Sequence, residues 1–116
     1  MKRTSDNDRV RLQHMRDYAL IAVGLVRGRE RDVLNFDVAL AFGLERLIEI
    51  VCEAASNVTA ETRSAHPEIQ WEDIVGMRVI LAHKYFAVER DIIWKVVTVN
   101  FPELIDQLDR ILGDME

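Results

Sequence analysis

The fold of this chain turns on residues 30–58, ERDVLNFDVALAFGLERLIEIVCEAASNV. Within them Val33, Leu34, Phe36, Val38, Leu40, Ala41, Leu44, Leu47, Ile48, Val51, Cys52 and Ala55 recur at helical spacing. Together they cover more than half the circumference of a helix. A helix that apolar needs neighbours on two sides, so the segment predicts the central helix of an all-α fold. Asp32, Asn35 and Asp37 each offer a short side-chain oxygen able to cap its start, which leaves the first residue open. Gly43 permits close approach of a neighbour, and Glu45, Arg46 and Glu49 supply charges for the remaining face. The segment ends near Ser56 and Asn57.

Upstream, Ser5-Asp6-Asn7-Asp8 provides N-cap chemistry. Val10, Leu12, Met15, Tyr18, Ala19, Ala22, Leu25 and Val26 then mark one buried stripe of a first helix, whose end Gly24 and Gly28 loosen. Downstream, Thr59 caps a short helix reaching Ala65, and His66-Pro67 breaks it. After the linker Pro67–Gln70, a helix is expected over Trp71–Tyr85, with Ile74, Val75, Met77, Ile80 and Leu81 as its apolar face. Phe86–Arg90 is expected to be a turn, and Asp91 to stand in the first turn of the next helix. Ile92–Val97 is rich in β-branched residues, but a lone strand has no partner here, so helix is preferred. Asn100 is expected to end that helix. Pro102 opens a last one, carrying Leu104, Ile105, Leu108, Ile111 and Leu112, which Gly113 stops. The sum is an antiparallel bundle of four to five helices, one domain over residues 1–116.

The bulk numbers exclude several classes. At 116 residues, 49% apolar and 30% charged, the composition is that of one globular domain. A net charge of −5 argues against a broad basic face for nucleic acid. Local basic pockets remain open, with Arg27, Arg29 and Arg31 in one group and Arg78, His83, Lys84 and Arg90 in another. Cys52 stands alone, which excludes an internal disulfide and a thiolate zinc site, and its apolar surroundings suit a packed thiol. His14, His66 and His83 lack metal-ligand spacing, so neither metal nor cofactor is expected. No apolar run approaches the ~18 residues of a membrane span. The charged N-terminal residues have no apolar core behind them, so the expected location is the cytoplasm.

The chemistry concentrates in residues 71–86, WEDIVGMRVILAHKYF. At about 100° per residue, Arg78 and Tyr85 share one helical face, while His83 points roughly 140° away from Arg78. The three side chains converge only if the helix loosens at its end or a second copy contributes across a symmetry axis. Arginine presents a planar fork of donors matched to phosphate oxygens. Histidine gives or takes a proton near neutrality. Tyrosine can stack on a base or donate a hydrogen bond. Spacing alone leaves two readings open. One is a site for RNA phosphate chemistry. The other is a structural ion pair for Arg78, with His83 and Tyr85 as ordinary helix-end residues.

The same run resembles the signature of HepT-like proteins, members of the HEPN superfamily (higher eukaryotes and prokaryotes nucleotide-binding). Their R-x-x-x-x-H-x-Y motif is matched by Arg78, His83 and Tyr85. Glu53-Ala54-Ala55, Asp91-Ile92-Ile93-Trp94 and Phe101-Pro102-Glu103-Leu104 are also similar to that family. The likeness spans roughly residues 9–112 and is strongest over 69–104. Val79 stands where these proteins often carry a polar residue, and Lys84 where glycine is common.

The resemblance implies an all-α homodimer with the motif at its interface. It implies a metal-independent endoribonuclease toxin of a toxin–antitoxin pair, with Arg78 and His83 catalytic. The implied partner is an MNT-type nucleotidyltransferase antitoxin that attaches AMP to Tyr85. Two other classes stay open: a non-catalytic nucleotide-binding or adaptor subunit that presents Tyr85 to the nucleotidyltransferase, and a plain structural bundle.

Overall fold

The computed structural model describes residues 6–82 and 86–115, with side chains at all of these except 80, 82 and 86–88. Every regular element among them is helical. In order they are α1 (Asp6–Val26), α2 (Val33–Phe36), α3 (Val38–Ser56), α4 (Ala60–Ala65), α5 (Trp71–Ala82), α6 (Phe86–Lys95), a π-helical segment (Val96–Asn100) and α7 (Phe101–Asp114). The fold is elongated, 50 × 28 × 19 Å.

α3 is the central helix that its apolar circumference demands. It packs against α1 on one side and α5 on another, while α7 lies along α1. The start of α1 sits at the end of α3, so these two helices run in opposite directions. Leu12, Met15, Ala19 and Ala22 of α1 meet Ala41, Leu44, Ile48 and Val51 of α3, all with no exposed surface. Leu104, Leu108 and Ile111 of α7 and Ile93 and Val97 close the same core. Each such aliphatic side chain larger than alanine contributes about 1.5–3 kcal/mol by leaving water.

Of the three residues left open as caps of the central helix, Asp37 is the one that starts it, and the residues before it form a separate short helix. Asp37 leaves helical geometry at φ −105°, ψ 88° and separates the 4-residue α2 from α3. Its carboxylate accepts a hydrogen bond from the Leu40 backbone N–H at 2.9 Å, satisfying a donor that has no intrahelical partner. Between α1 and α2 the chain turns at Gly28, whose φ of +76° only glycine adopts without strain.

Two further differences concern the C-terminal half. Phe86–Arg90, expected as a turn, belongs to α6. No glycine or proline interrupts it, and alanine and the longer charged side chains suit a helix. Asp91 therefore sits inside α6 rather than in a first turn, and accepts a hydrogen bond from Arg31 Nε at 2.6 Å. Asn100 does not end a helix either. Pro102 has no N–H to donate and its ring crowds the preceding turn. The chain widens into a π turn, in which Phe101 N–H reaches back to the Val96 carbonyl, and runs on into α7. Gly113 lies within α7, one residue before its end.

Asp8, in the first turn of α1, has its partners far along the chain. Asp8 is 1% exposed. It accepts hydrogen bonds from Thr59 N–H at 3.1 Å, Thr59 Oγ1 at 2.6 Å and Thr62 Oγ1 at 2.6 Å. The carboxylate ties the start of α1 to the first turn of α4, which Thr59 itself caps.

Candidate functional site

α5 carries the first of the expected site residues. Its start is fastened by Trp71, whose indole Nε1–H donates to the His66 carbonyl at 3.0 Å while the ring packs at 7% exposure. Glu72 and Asp73 occupy the first turn, where the helix dipole favours negative charge. Leu81 is buried, whereas Arg78 and Val79 face solvent, Val79 at 62% exposure. The helix thus holds its apolar side on α3 and presents the Arg78 guanidinium to solvent.

Behind Arg78 on α3 lies Cys52, almost fully buried. Burial pushes its thiol up to about 11, and Glu49 adds to the shift, while the Arg78 charge and a hydrogen bond from the Arg78 backbone pull the other way. Cys52 is therefore a packed thiol whose ionisation is disfavoured by burial.

A charged cluster joins α3 to α6. Arg90 is 1% exposed, and its Nη1 donates to the Glu89 carboxylate. The guanidinium carbon lies 5.5 Å from the centroid of the Phe42 ring. Glu45 is half-buried and its carboxyl is raised, first by burial and then by the charges of Glu89 and Glu49, with Arg90 opposing. Sequence reasoning counted Arg90 among the central cations but missed Glu45 and Glu89 as its neighbours. They are brought together by α6 folding back on α3, which no local pattern encodes.

The structure places Arg78, of the expected site residues, on the exposed side of α5. His83 and Tyr85, with Lys84, lie between the ends of α5 and α6 and outside the described residues. The other histidines stand apart. His14 is exposed on α1 with its ring edge-on to Tyr18, centroids 6.1 Å apart. His66 caps the end of α4, with Nδ1 4.0 Å from a Glu68 oxygen. Among the described residues no cluster of three or more His, Cys, Asp or Glu could hold a metal ion. No helix among them is long and apolar enough to cross a membrane.

Comparison with known proteins adds an independent line. The profile of the family described as "Ribonuclease HepT-like" matches residues 12–111. A protein of Caldanaerobacter subterraneus subsp. tengcongensis, named provisionally as an RNase, is 34% identical over 101 residues, covering 87% of this chain and 90% of its own. A Thermococcus cleftensis protein, named provisionally as ribonuclease HepT, is 33% identical over 75 residues, 65% of this chain and 68% of its own. A third, from Methanocaldococcus jannaschii and also named provisionally as an RNase, is 28% identical over 96 residues, 73% of this chain and 83% of its own. No solved structure matches significantly. The family match spans most of the chain, including α3 and the Arg78-bearing α5, and the chain belongs to the HepT-like ribonuclease family.

Proposed function

We propose that this single-domain protein is a metal-independent endoribonuclease of the HEPN type that acts as a homodimer. The observation that carries the reading is the exposed Arg78 on α5, inside the segment shared with HepT-like ribonucleases. The RNA 2′-hydroxyl attacks the adjacent phosphorus and gives up its proton to a base. The P–O5′ bond breaks, and an acid returns a proton to the leaving 5′ oxygen. The products are a cyclic phosphate and a 5′-hydroxyl. His83 serves this proton traffic, and the Arg78 guanidinium stabilises charge on the phosphoryl oxygens. Since Arg78 and His83 diverge on one straight helix, two copies related by an axis complete the site. The exposed Val79 and Phe42 side chains, at 62% and 58% exposure, supply apolar surface that such a partner copy would cover.

Tyr85 contacts the RNA and is the acceptor for AMP delivered by a cognate MNT-type nucleotidyltransferase, the antitoxin of the pair. A nucleotide beside Arg78 covers it and occupies its positive charge, which silences cleavage. Val79, apolar where a polar residue is common in the family, favours a second reading: a non-catalytic adaptor that presents Tyr85 to the same partner.

The test is cleavage of labelled RNA in excess chelator by the wild type, His83→Ala and Arg78→Ala. Cleavage is expected to survive chelation, to vanish in His83→Ala and to fall about 10²–10³-fold in Arg78→Ala. Full activity in His83→Ala overturns the catalytic reading. Intact mass after co-expression with the nucleotidyltransferase should rise in units of AMP, and the gain should be lost in Tyr85→Phe. A gain in mass without any cleavage by the unmodified protein selects the adaptor.

A further inference from the structure

The turn between α1 and α2 carries Arg27, Arg29 and Arg31, and α2 ends on Phe36. Arg27 and Arg29 stand exposed on either side of Gly28, whose positive φ fixes the turn. Arg29 N–H donates to the Val26 carbonyl at 3.0 Å, and Arg27 N–H to the Gly24 carbonyl at 3.4 Å. Among the described residues neither guanidinium pairs with a carboxylate. Arg31 is tied down: its Nε donates to Asp91 of α6 at 2.6 Å, and its Nη1 to the Asn35 side-chain oxygen at 2.8 Å. Leu34, with no exposed surface, anchors α2 in the core. On this fixed helix the Phe36 ring is 82% exposed, the most of any large apolar side chain among the described residues. Asp91 lies five residues into α6, about 8 Å along the axis from its start. α6 itself begins directly after Tyr85 in the chain, so the turn and α2 flank the element that leads out of the candidate site.

We propose that this turn and α2 form a platform for single-stranded RNA, on which an unpaired base stacks on Phe36 while Arg27 and Arg29 hold phosphates of the same strand. The choice of RNA as the occupant rests on the endoribonuclease reading. A flat ring held in water on an anchored helix offers a face that any base can cover. The guanidinium forks match phosphate oxygens. The dipole at the end of α1 favours cations there, but it gives no reason for a phenylalanine to stay in water. Glu30 and Asp32 are exposed in the same stretch, and Asp91 faces Arg31. The attraction is therefore confined to the two unpaired guanidinium groups, about two phosphate contacts, in keeping with a net charge of −5. A duplex keeps its bases stacked inside and offers Phe36 nothing, so the platform selects unpaired stretches.

The experiment measures binding of a fluorescein-labelled 2′-O-methyl oligoribonucleotide by anisotropy, with cleavage of the same sequence as unmodified RNA followed separately. The 2′-O-methyl strand has no hydroxyl to attack phosphorus, so binding is read whether or not the protein cleaves. The wild type is expected to bind the single strand, and the same sequence as a duplex at least about fivefold more weakly. Phe36→Ala should weaken single-strand binding about 5- to 100-fold and raise KM for cleavage while leaving kcat nearly unchanged. Phe36→Trp should bind as the wild type does and Phe36→Leu should not, because leucine keeps apolar area without a flat ring. Arg27→Gln with Arg29→Gln should lower the slope of log K on log salt by about 1.4, two phosphates at ~0.7 each. Equal binding of strand and duplex, or unchanged binding in Phe36→Ala, overturns the platform, and the catalytic reading then stands or falls on cleavage of the unmodified RNA. A wild type that binds through Phe36 yet cuts nothing supports the platform and overturns catalysis. Dissociation of a wild-type dimer in Phe36→Ala also overturns the platform, since the ring then packs on a second copy. The comparison of strand with duplex needs no variant, and circular dichroism checks the fold of each one.

Discussion

Thr62 Oγ1 donates a hydrogen bond to the Asp8 carboxylate at 2.6 Å across 54 residues of chain. Both residues are buried, at 5% and 1% exposure, and Thr59 adds two more donors to the same carboxylate. Replacing Asp8 with alanine removes the acceptor of these hydrogen bonds, including that of the buried Thr62 hydroxyl. The expected cost is about 1–3 kcal/mol in urea unfolding, with far-ultraviolet dichroism of the folded state unchanged.

The same carboxylate gives an acid limb to stability. Burial alone raises Asp8, but the hydroxyls of Thr59 and Thr62, the Thr59 amide and the charge of Arg11 outweigh it, so the carboxyl lies below its ordinary 3.8. A group lowered in the folded state stabilises fully above its unfolded value and loses that contribution as pH falls through the folded one. Asp8 should therefore support stability fully above about pH 4 and lose that contribution progressively below it, as pH falls through the lowered folded value. Asp8→Asn is expected to flatten this part of the stability–pH curve, measured by thermal melts between neutral and strongly acid pH.

Asp37 is a second single-residue control point. Its side chain caps α3 at the place where an apolar pattern would otherwise run straight through. Asp37→Ala should cost about 0.5–2 kcal/mol, and Asp37→Asn or Asp37→Ser much less, because either retains an oxygen for the Leu40 N–H. Equal losses in all three variants would mean that the cap contributes nothing.

Arg90 is a buried cation held by Glu89 and the Phe42 ring, with Glu45 close by. Arg90→Met keeps much of the packing but leaves two carboxylates facing each other in a partly dry site. The loss is expected to be on the order of 3–5 kcal/mol at neutral pH. Glu45 is already raised by burial and by its acidic neighbours, and removing the opposing cation raises it further. A group raised in the folded state loses its contribution as pH rises, so the penalty in Arg90→Met should be smaller near pH 5 than near pH 8. An unfolding series at these two pH values checks it.

Cys52 should be nearly inert. With its thiol pushed up from 9.0 to about 11, the thiolate population at neutral pH is roughly a hundredfold below that of an ordinary cysteine. Alkylation of the native protein should be at least that much slower than in denaturant. A fast native reaction would contradict the burial of this side chain.

The two long N-terminal helices were legible because a 3.6-residue period needs only the local sequence. α1 and the body of α3 stand where Leu12, Met15, Leu44 and Ile48 placed them. The break at Asp37 was not legible, since Asp32, Asn35 and Asp37 are chemically alike and the apolar pattern continues across all three. α6 was missed over Phe86–Arg90, where, of the two residues with described side chains, Glu89 and Arg90, the buried one is Arg90, which no apolar pattern flags. Asp8 was read as a local cap, and its partners lie half the chain away. Of the candidate site, Arg78 was singled out in the sequence through its resemblance to a family motif, whereas the acidic cluster around Arg90 exists only once α6 lies on α3.

The π turn before Pro102 has one more consequence. A π bulge amounts to one residue inserted into an α-helix, and each residue advances the helix by about 100°. Everything after Asn100 is set in phase by that extra residue, including the buried face of Leu104, Ile105, Leu108 and Ile111. Deleting a single residue from Val96–Asn100 would mend the hydrogen bonding locally and at the same time rotate α7 so that this face met water. The π turn and the last helix are therefore a matched pair: a lineage could lose the bulge only by rewriting α7 at the same step.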